Sequence, residues 1–289
     1  NALLARKEIQ INQGNDYGCT PLYFACGCGS SEVGEFLKVV NALLAREEIL
    51  INQADEDGRT PLLNACREDN VNIVNALLAK KEIQINQATN YGWTPLCSAC
   101  DHGHLKIVNI LLARNEIQIN QGIPLSDACQ RGHVKVVMAL LAKEEIQINK
   151  ATNDDRRTPL YFACQDNAMK MTDDHMKIVN ALLARKEIQI NQGDDDEATP
   201  LSMACKEGYL EVVNALLARK EIQINQPMND GATPLLIACQ NDHVKVVYML
   251  LKRKEIQINQ AKNDGTTPLL VACQNDRVKV VNVLLARKE

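Results

Sequence analysis

Apolar residues recur along this chain in two alternating patterns. The first is short: a Thr-Pro-Leu step, two variable positions and an Ala-Cys pair, as in Thr20 to Cys26 (TPLYFAC) and Thr233 to Cys239 (TPLLIAC). Thr suits a helix N-cap, where its hydroxyl accepts a bond from a free backbone N–H. Pro then falls at the first helical position, where it has no donor to lose. The pattern therefore predicts a brief helix with one small apolar face. The second pattern, as in Leu210 to Leu217, spaces Val and Leu at helical i, i+3 and i+4 intervals and predicts a second helix. An Ile-x-Ile-Asn segment follows and reads as extended. Asn-Asp-Gly or Asn-Tyr-Gly before the next Thr is turn chemistry. One unit is thus helix, turn, helix and a hairpin-like loop. A helix pair this short cannot bury its face alone, so the units must stack.

The stacking is written into the repetition. The string NALLARKEIQINQ begins unchanged at Asn1, Asn180 and Asn214, with near copies at Asn41, Asn75, Asn109, Met138 and Tyr248 and a truncated one at Asn282. Between these copies the helix-start prolines are Pro21, Pro61, Pro95, Pro124, Pro159, Pro200, Pro234 and Pro268. Three of the seven intervals are 34 residues and the others are 40, 29, 35 and 41. A fixed period with local insertions and one deletion describes a repeat array, not a closed globule.

The pattern G-x-T-P-L, Ala plus a small residue, G-H, V-V-x-x-L-L and a final Asn resembles the ankyrin repeat. Gly103-His104 and Gly132-His133 supply the G-H step in the third and fourth units. The His that the family carries after TPL is replaced throughout, by Tyr23, Leu63, Cys97, Ser126, Tyr161, Ser202, Leu236 and Leu270. A Lys-Glu-Ile-Gln type segment stands where the family has Gly-Ala-Asp, which lengthens the period. The resemblance implies an all-α solenoid of stacked helix-turn-helix units joined by β-hairpin-like loops. We expect a single array over residues 1–289 with about eight repeats and a partial one at the N-terminus. Neither end shows a polar capping repeat, so the chain reads as a piece of a longer array or as one whose ends another chain covers.

Composition removes other classes. Apolar residues make up 46% and charged residues 24%, as in a folded protein. No apolar run approaches the roughly 18 residues of a membrane span, and NALLARKEIQ lacks the form of a signal peptide. A net charge of −4 speaks against nucleic acid, whose phosphates need concentrated Lys and Arg. Eight of the eleven cysteines hold one equivalent position in successive repeats and read as small buried hydrophobes. Equivalent positions in adjacent repeats lie on the order of 10 Å apart, too far for disulfide rungs. Unpaired thiols imply a reducing, cytoplasmic setting.

Chemistry is sparse. Cys97, Cys100, His102 and His104 form a C-x-x-C-x-H-x-H string, but repeat position already accounts for Cys100 and His104. We assign no metal, no cofactor and no catalytic residue, since no nucleophile elbow, Walker loop or H-E-x-x-H occurs. What varies is the surface that the ankyrin resemblance assigns to binding, the loop tips and the exposed side of the first helices. The residues singled out there as partner-binding are Tyr17, Arg59, Tyr91, Trp93, His102, Arg131, Arg157, Asp195 and Asp196. Arg67 and Glu68 fall on the same surface. Trp and Tyr at turn tips suit interface anchors, and Asp194 to Glu197 would suit a basic peptide. The fourth unit has lost its hairpin between Asn120 and Pro124, which is expected to open a notch beside Trp93. Insertions lengthen the turns at Gly27–Glu35 and Ala168–Asp174. The expected function is a scaffold that binds a partner protein or peptide on its concave face. The alternative is a structural array that self-associates through uncapped ends, which the near-identical last two repeats favour.

Overall fold

Seven of the eight first helices begin where a Thr caps a helix that Pro starts. In the computed structural model, which describes residues 9–28, 33–165 and 173–287, the Tyr23 amide donates to Thr20 Oγ1 at 3.1 Å. The Leu63, Cys97, Tyr161, Ser202, Leu236 and Leu270 amides repeat this bond to their own Thr. Each such cap is worth about 1 kcal/mol. The helices they open are α1 (Pro21–Cys26), α3 (Pro61–Arg67), α5 (Pro95–Asp101), α9 (Pro159–Cys164), α11 (Pro200–Glu207), α13 (Pro234–Gln240) and α15 (Pro268–Gln274). α7 (Pro124–Gln130) starts after Ile123 and has no side-chain cap.

The partner helices are α2 (Val33–Leu44), α4 (Val71–Leu78), α6 (Leu105–Leu112), α8 (Val134–Leu141), α10 (Asp173–Leu183), α12 (Leu210–Leu217), α14 (Val244–Leu251) and α16 (Val278–Leu285). Their inward-facing Val, Ile and Leu side chains, such as Ile107, Val108 and Leu111, are fully buried. Alternating first helices contribute Leu, Ala and Cys to the same core, as with Leu62, Ala65 and Cys66. The chain is all-helical among the described residues, and the loops between repeats form turns without a β-ladder.

Two compact units result, one ending at Ile146 with α1 to α8 and one beginning at Gln147 with α9 to α16. In the first, α1, α3, α5 and α7 pack in succession and α2, α4, α6 and α8 form a second layer. The second unit stacks α9, α11, α13 and α15 against α10, α12, α14 and α16 in the same way.

Polar ladders fix the spacing within each unit. The Asn of Ile-x-Ile-Asn reaches into the next repeat: Asn86 Nδ2 donates to Glu116 O at 2.7 Å, and the Gln118 amide donates to Asn86 Oδ1 at 2.9 Å. Asn52 and, in the second unit, Asn191 and Asn225 make the same pair of bonds. At the helix–helix turn, the ring Nε2 of His104 lies 2.9 Å from Arg67 O and that of His133 2.9 Å from Asp101 O. Each His covers a carbonyl that the preceding first helix leaves open. Gly103 precedes one such His with φ +73°, and a Cβ there would sit 2.6 Å from the His133 ring.

The last pair differs. Leu269, Leu270 and Leu285 are exposed, while their equivalents Leu235, Leu236 and Leu251 are buried by the repeat that follows.

Candidate binding cleft at the aromatic fingers

Asx and Thr turns build the loop tips. In the second finger Asp55 Oδ1 accepts from the amides of Asp57 (3.0 Å) and Arg59 (2.8 Å). In the third, Thr89 Oγ1 accepts from Tyr91 (3.3 Å) and Trp93 (3.1 Å), and the Thr89 amide donates to Trp93 O at 2.8 Å. Gly58 and Gly92 take the left-handed conformation these turns require. Fingers two and three are then joined, since the Asn90 amide donates to Asp57 O (2.9 Å) and Asn90 Nδ2 to Glu56 O (2.8 Å). A Cβ at Gly58 would stand 2.9 Å from the Asn90 nitrogen, so the close approach needs glycine.

This junction leaves a cleft of about 340 Å³ between the second and third repeats. Tyr91, Trp93, Arg59, Arg67 and His102 line it. Leu63, Ser98 and Thr89 complete the lining, and Leu63 and Ser98 are buried. Tyr91 is 78% exposed and Trp93 37%. Among the described residues neither ring pairs with another aromatic.

The charged groups of the cleft are held from outside it. Arg59 Nη2 lies 2.8 Å from Asp57, and Arg67 Nε lies 2.8 Å from Glu68. His102 Nδ1 is 2.9 Å from Ser98 O, a contact that makes Nδ1 the protonated nitrogen. Four of the residues picked from the sequence, Arg59, Tyr91, Trp93 and His102, therefore meet in one place. The shortened connection before Pro124 does not line this cleft. Gly122 instead lies against the third repeat, where a Cβ would stand 2.5 Å from Cys97 Sγ.

The remaining candidates are dispersed. Tyr17 is an exposed finger tip whose carbonyl accepts from the Glu56 amide at 3.1 Å. Arg131 pairs at 2.7 Å with Asp101, whose side chain is only 10% exposed. In the second unit Arg157 is drawn inward, 2.9 Å from Asp155 and 5.3 Å over the Tyr161 ring. Asp195 and Asp196 are exposed, but Asp194 is buried and accepts from the Asp196 and Ala198 amides and the Tyr161 hydroxyl. Glu197 pairs with Arg156 at 3.4 Å. Asp195 also lies 3.9 Å from Arg156, so the run Asp194 to Glu197 presents fewer unencumbered carboxylates than its sequence suggests. Of the two insertions, residues 29–32 and 168–172 lie outside the described residues.

All eleven cysteines are free thiols. Burial pushes the Cys97 thiol up to about 11 and Cys239 to about 12, which makes them poor nucleophiles. Cys273, equivalent to these core positions, is exposed. One ionisable residue escaped the sequence reading. Asp127 in α7 is 4% exposed, with one carboxylate oxygen lacking a partner. Burial, and then the neighbouring Asp101 carboxylate, raise it to about 7 against the weaker opposing effects of Cys97 and Arg131. Its position is apolar or uncharged in every other repeat, which was the available signal.

Comparison with known families agrees with this architecture. A family model described as ankyrin repeats (3 copies) matches residues 34–123 and 220–289. Two described as ankyrin repeats (many copies) match residues 125–173 and 182–238. The first alone takes in more than half of the sequence, and the chain belongs to the ankyrin-repeat family. Ankyrin repeats are generally protein–protein interaction modules, and proteins built from them are typically non-enzymatic scaffolds. A search of curated proteins returned no match. Among the described residues, no helix is long and apolar enough to cross a membrane.

Proposed function

We propose that this chain is a non-enzymatic scaffold whose second and third repeats hold a partner protein or peptide between the finger tips and the first helices. The observation that carries the reading is the cleft itself. It gathers two aromatic rings, two arginines and a histidine, on a chain with only 3% aromatic residues. Rings that are not needed to fill the core suit contact with another molecule. The uninterrupted succession of motifs supports treating residues 1–289 as one array. The free thiols fit a reducing, cytoplasmic setting.

The test is selection of a displayed random peptide library on the immobilised protein, with counter-selection on Trp93→Ala. Enrichment that disappears with Trp93→Ala and Tyr91→Ala supports the reading. Equal enrichment on all three proteins refutes it.

Self-association is a second reading, carried by the exposed Leu269, Leu270 and Leu285. In this reading a second copy covers that face. Light-scattering mass that rises with concentration, and stays monomeric for Leu270→Glu, assigns it to a second copy.

A further inference from the structure

The seventh repeat departs from its near copies at two positions one helical turn apart. Where six of the other seven repeats carry Asn and one carries Met138, α14 carries Tyr248. Four residues on, at a position that is Ala in all seven others, stands Lys252. Residues at i and i+4 share a helix face, and Lys252 Nζ sits 4.5 Å from the Tyr248 ring centroid. The pair borders a pocket of about 210 Å³ against α16, with Leu251, Val283, Ala286 and Arg287 as the other lining residues.

The positive groups of this pocket are not spent inside the protein. Among the described residues neither Lys252 nor Arg287 forms an ion pair, and Glu255, three residues beyond Lys252, is held by Arg253 at 3.1 Å. Arg287 reaches the Arg253 carbonyl through Nη2 at 3.4 Å, while its Nη1 is covered without an acceptor. An uncompensated guanidinium nitrogen favours an anion that draws it out. The C-terminal ends of α14 and α16 add about half a negative charge each, which two whole positive charges outweigh.

We propose that this pocket receives the C-terminal residue of a partner protein, one with a bulky apolar side chain. A cavity of about 150 Å³ suffices for a benzene ring, so the pocket holds roughly one large side chain. The apolar group and the negative charge must then arrive on the same residue. A chain terminus supplies both, because its α-carboxylate and its side chain leave the same carbon. The carboxylate meets Lys252 and Arg287, and the side chain lies against Tyr248, Leu251 and Val283. An internal Asp or Glu brings the charge without the apolar bulk.

The probes are three peptides: Gly-Ser-Gly-Ser-Phe with a free C-terminus, the same peptide amidated, and a free-ended version with Ser in place of Phe. Each is titrated into the intact, isotope-labelled protein while the Val283 and Ala286 amide resonances are followed. The free Phe peptide is expected to shift both saturably, and the other two to bind about tenfold more weakly or worse. Tyr248→Asn with Lys252→Ala restores residues that other repeats carry, so circular dichroism of this double variant is expected to match the parent. Its affinity for the free Phe peptide is expected to fall by about tenfold or more. Equal binding of the amidated peptide or of the Ser peptide overturns the proposal. So does the absence of saturable shifts at Val283 and Ala286, or their persistence in the double variant. The cleft of the second and third repeats is judged by Trp93-dependent selection and is untouched by any of these results.

Discussion

The Tyr161 hydroxyl donates a 2.9 Å hydrogen bond to Asp194, a buried carboxylate in the finger of the following repeat. The other Asp194 oxygen closes its own turn by accepting the Asp196 and Ala198 amides. One side chain thus shapes a finger and ties it to the preceding first helix. In the first unit Tyr23 stands in the same relation to Asp55, and burial with the Asp55 charge raises its phenol above the usual value.

Tyr161→Phe keeps the ring and removes the tie. The buried Asp194 oxygen loses a donor, which costs about 1–2 kcal/mol. The urea midpoint is expected to fall accordingly, while Tyr17→Phe, at an exposed tip, leaves it unchanged. Equal midpoints for Tyr161→Phe and the parent would show that the tie contributes nothing.

Asn86 joins the second repeat to the third by two hydrogen bonds, to Glu116 O and from the Gln118 amide. Asn86→Ala removes both and is expected to cost about 1–2 kcal/mol. Hydrogen exchange provides a local readout, with the Gln118 amide losing protection before the core amides of α6.

Asp127 makes stability depend on pH. In the unfolded chain its carboxyl ionises near the usual value of about 4, but in the folded chain near 7. Between those values the folded state holds a proton that the unfolded state has released, so stability falls as pH rises through the window and then levels off. Asp127→Asn is expected to abolish that decline and to exceed the parent at about pH 8 by on the order of 2 kcal/mol. Urea midpoints across the range check this; a difference that stays constant with pH removes Asp127 as the cause.

Tyr91 is 78% exposed and makes no ring contact among the described residues. Tyr91→Ala is therefore expected to change stability by less than about 0.5 kcal/mol. Thermal unfolding checks the point, and a large drop would mean that the ring supports the finger instead of awaiting a partner.

Much of this was legible in the residues themselves. Thr-Pro at each helix start carries its own cap and its own missing donor, so Thr60-Pro61 or Thr233-Pro234 announces a helix without tertiary help. The Val and Leu spacing of Leu210–Leu217 and the repetition of the whole unit implied stacking. The aromatic tips Tyr91 and Trp93 stood out because near-identical repeats make any departure visible. Other features depended on where neighbouring repeats came to rest. Charge alone could not separate the buried Asp194 from the exposed Asp195, because their fates differ only in which one faces Tyr161. A fingertip arginine looks the same in sequence whether it lines a cleft, as Arg59 does, or turns onto a tyrosine ring, as Arg157 does. Asp127 differs from its counterparts by one letter in a motif, and only packing left its oxygen without a partner. Local periodicity specifies elements because helix geometry is the same everywhere. Burial and pairing belong to the contact between repeats, so the cleft and its charge were decided by tertiary structure alone.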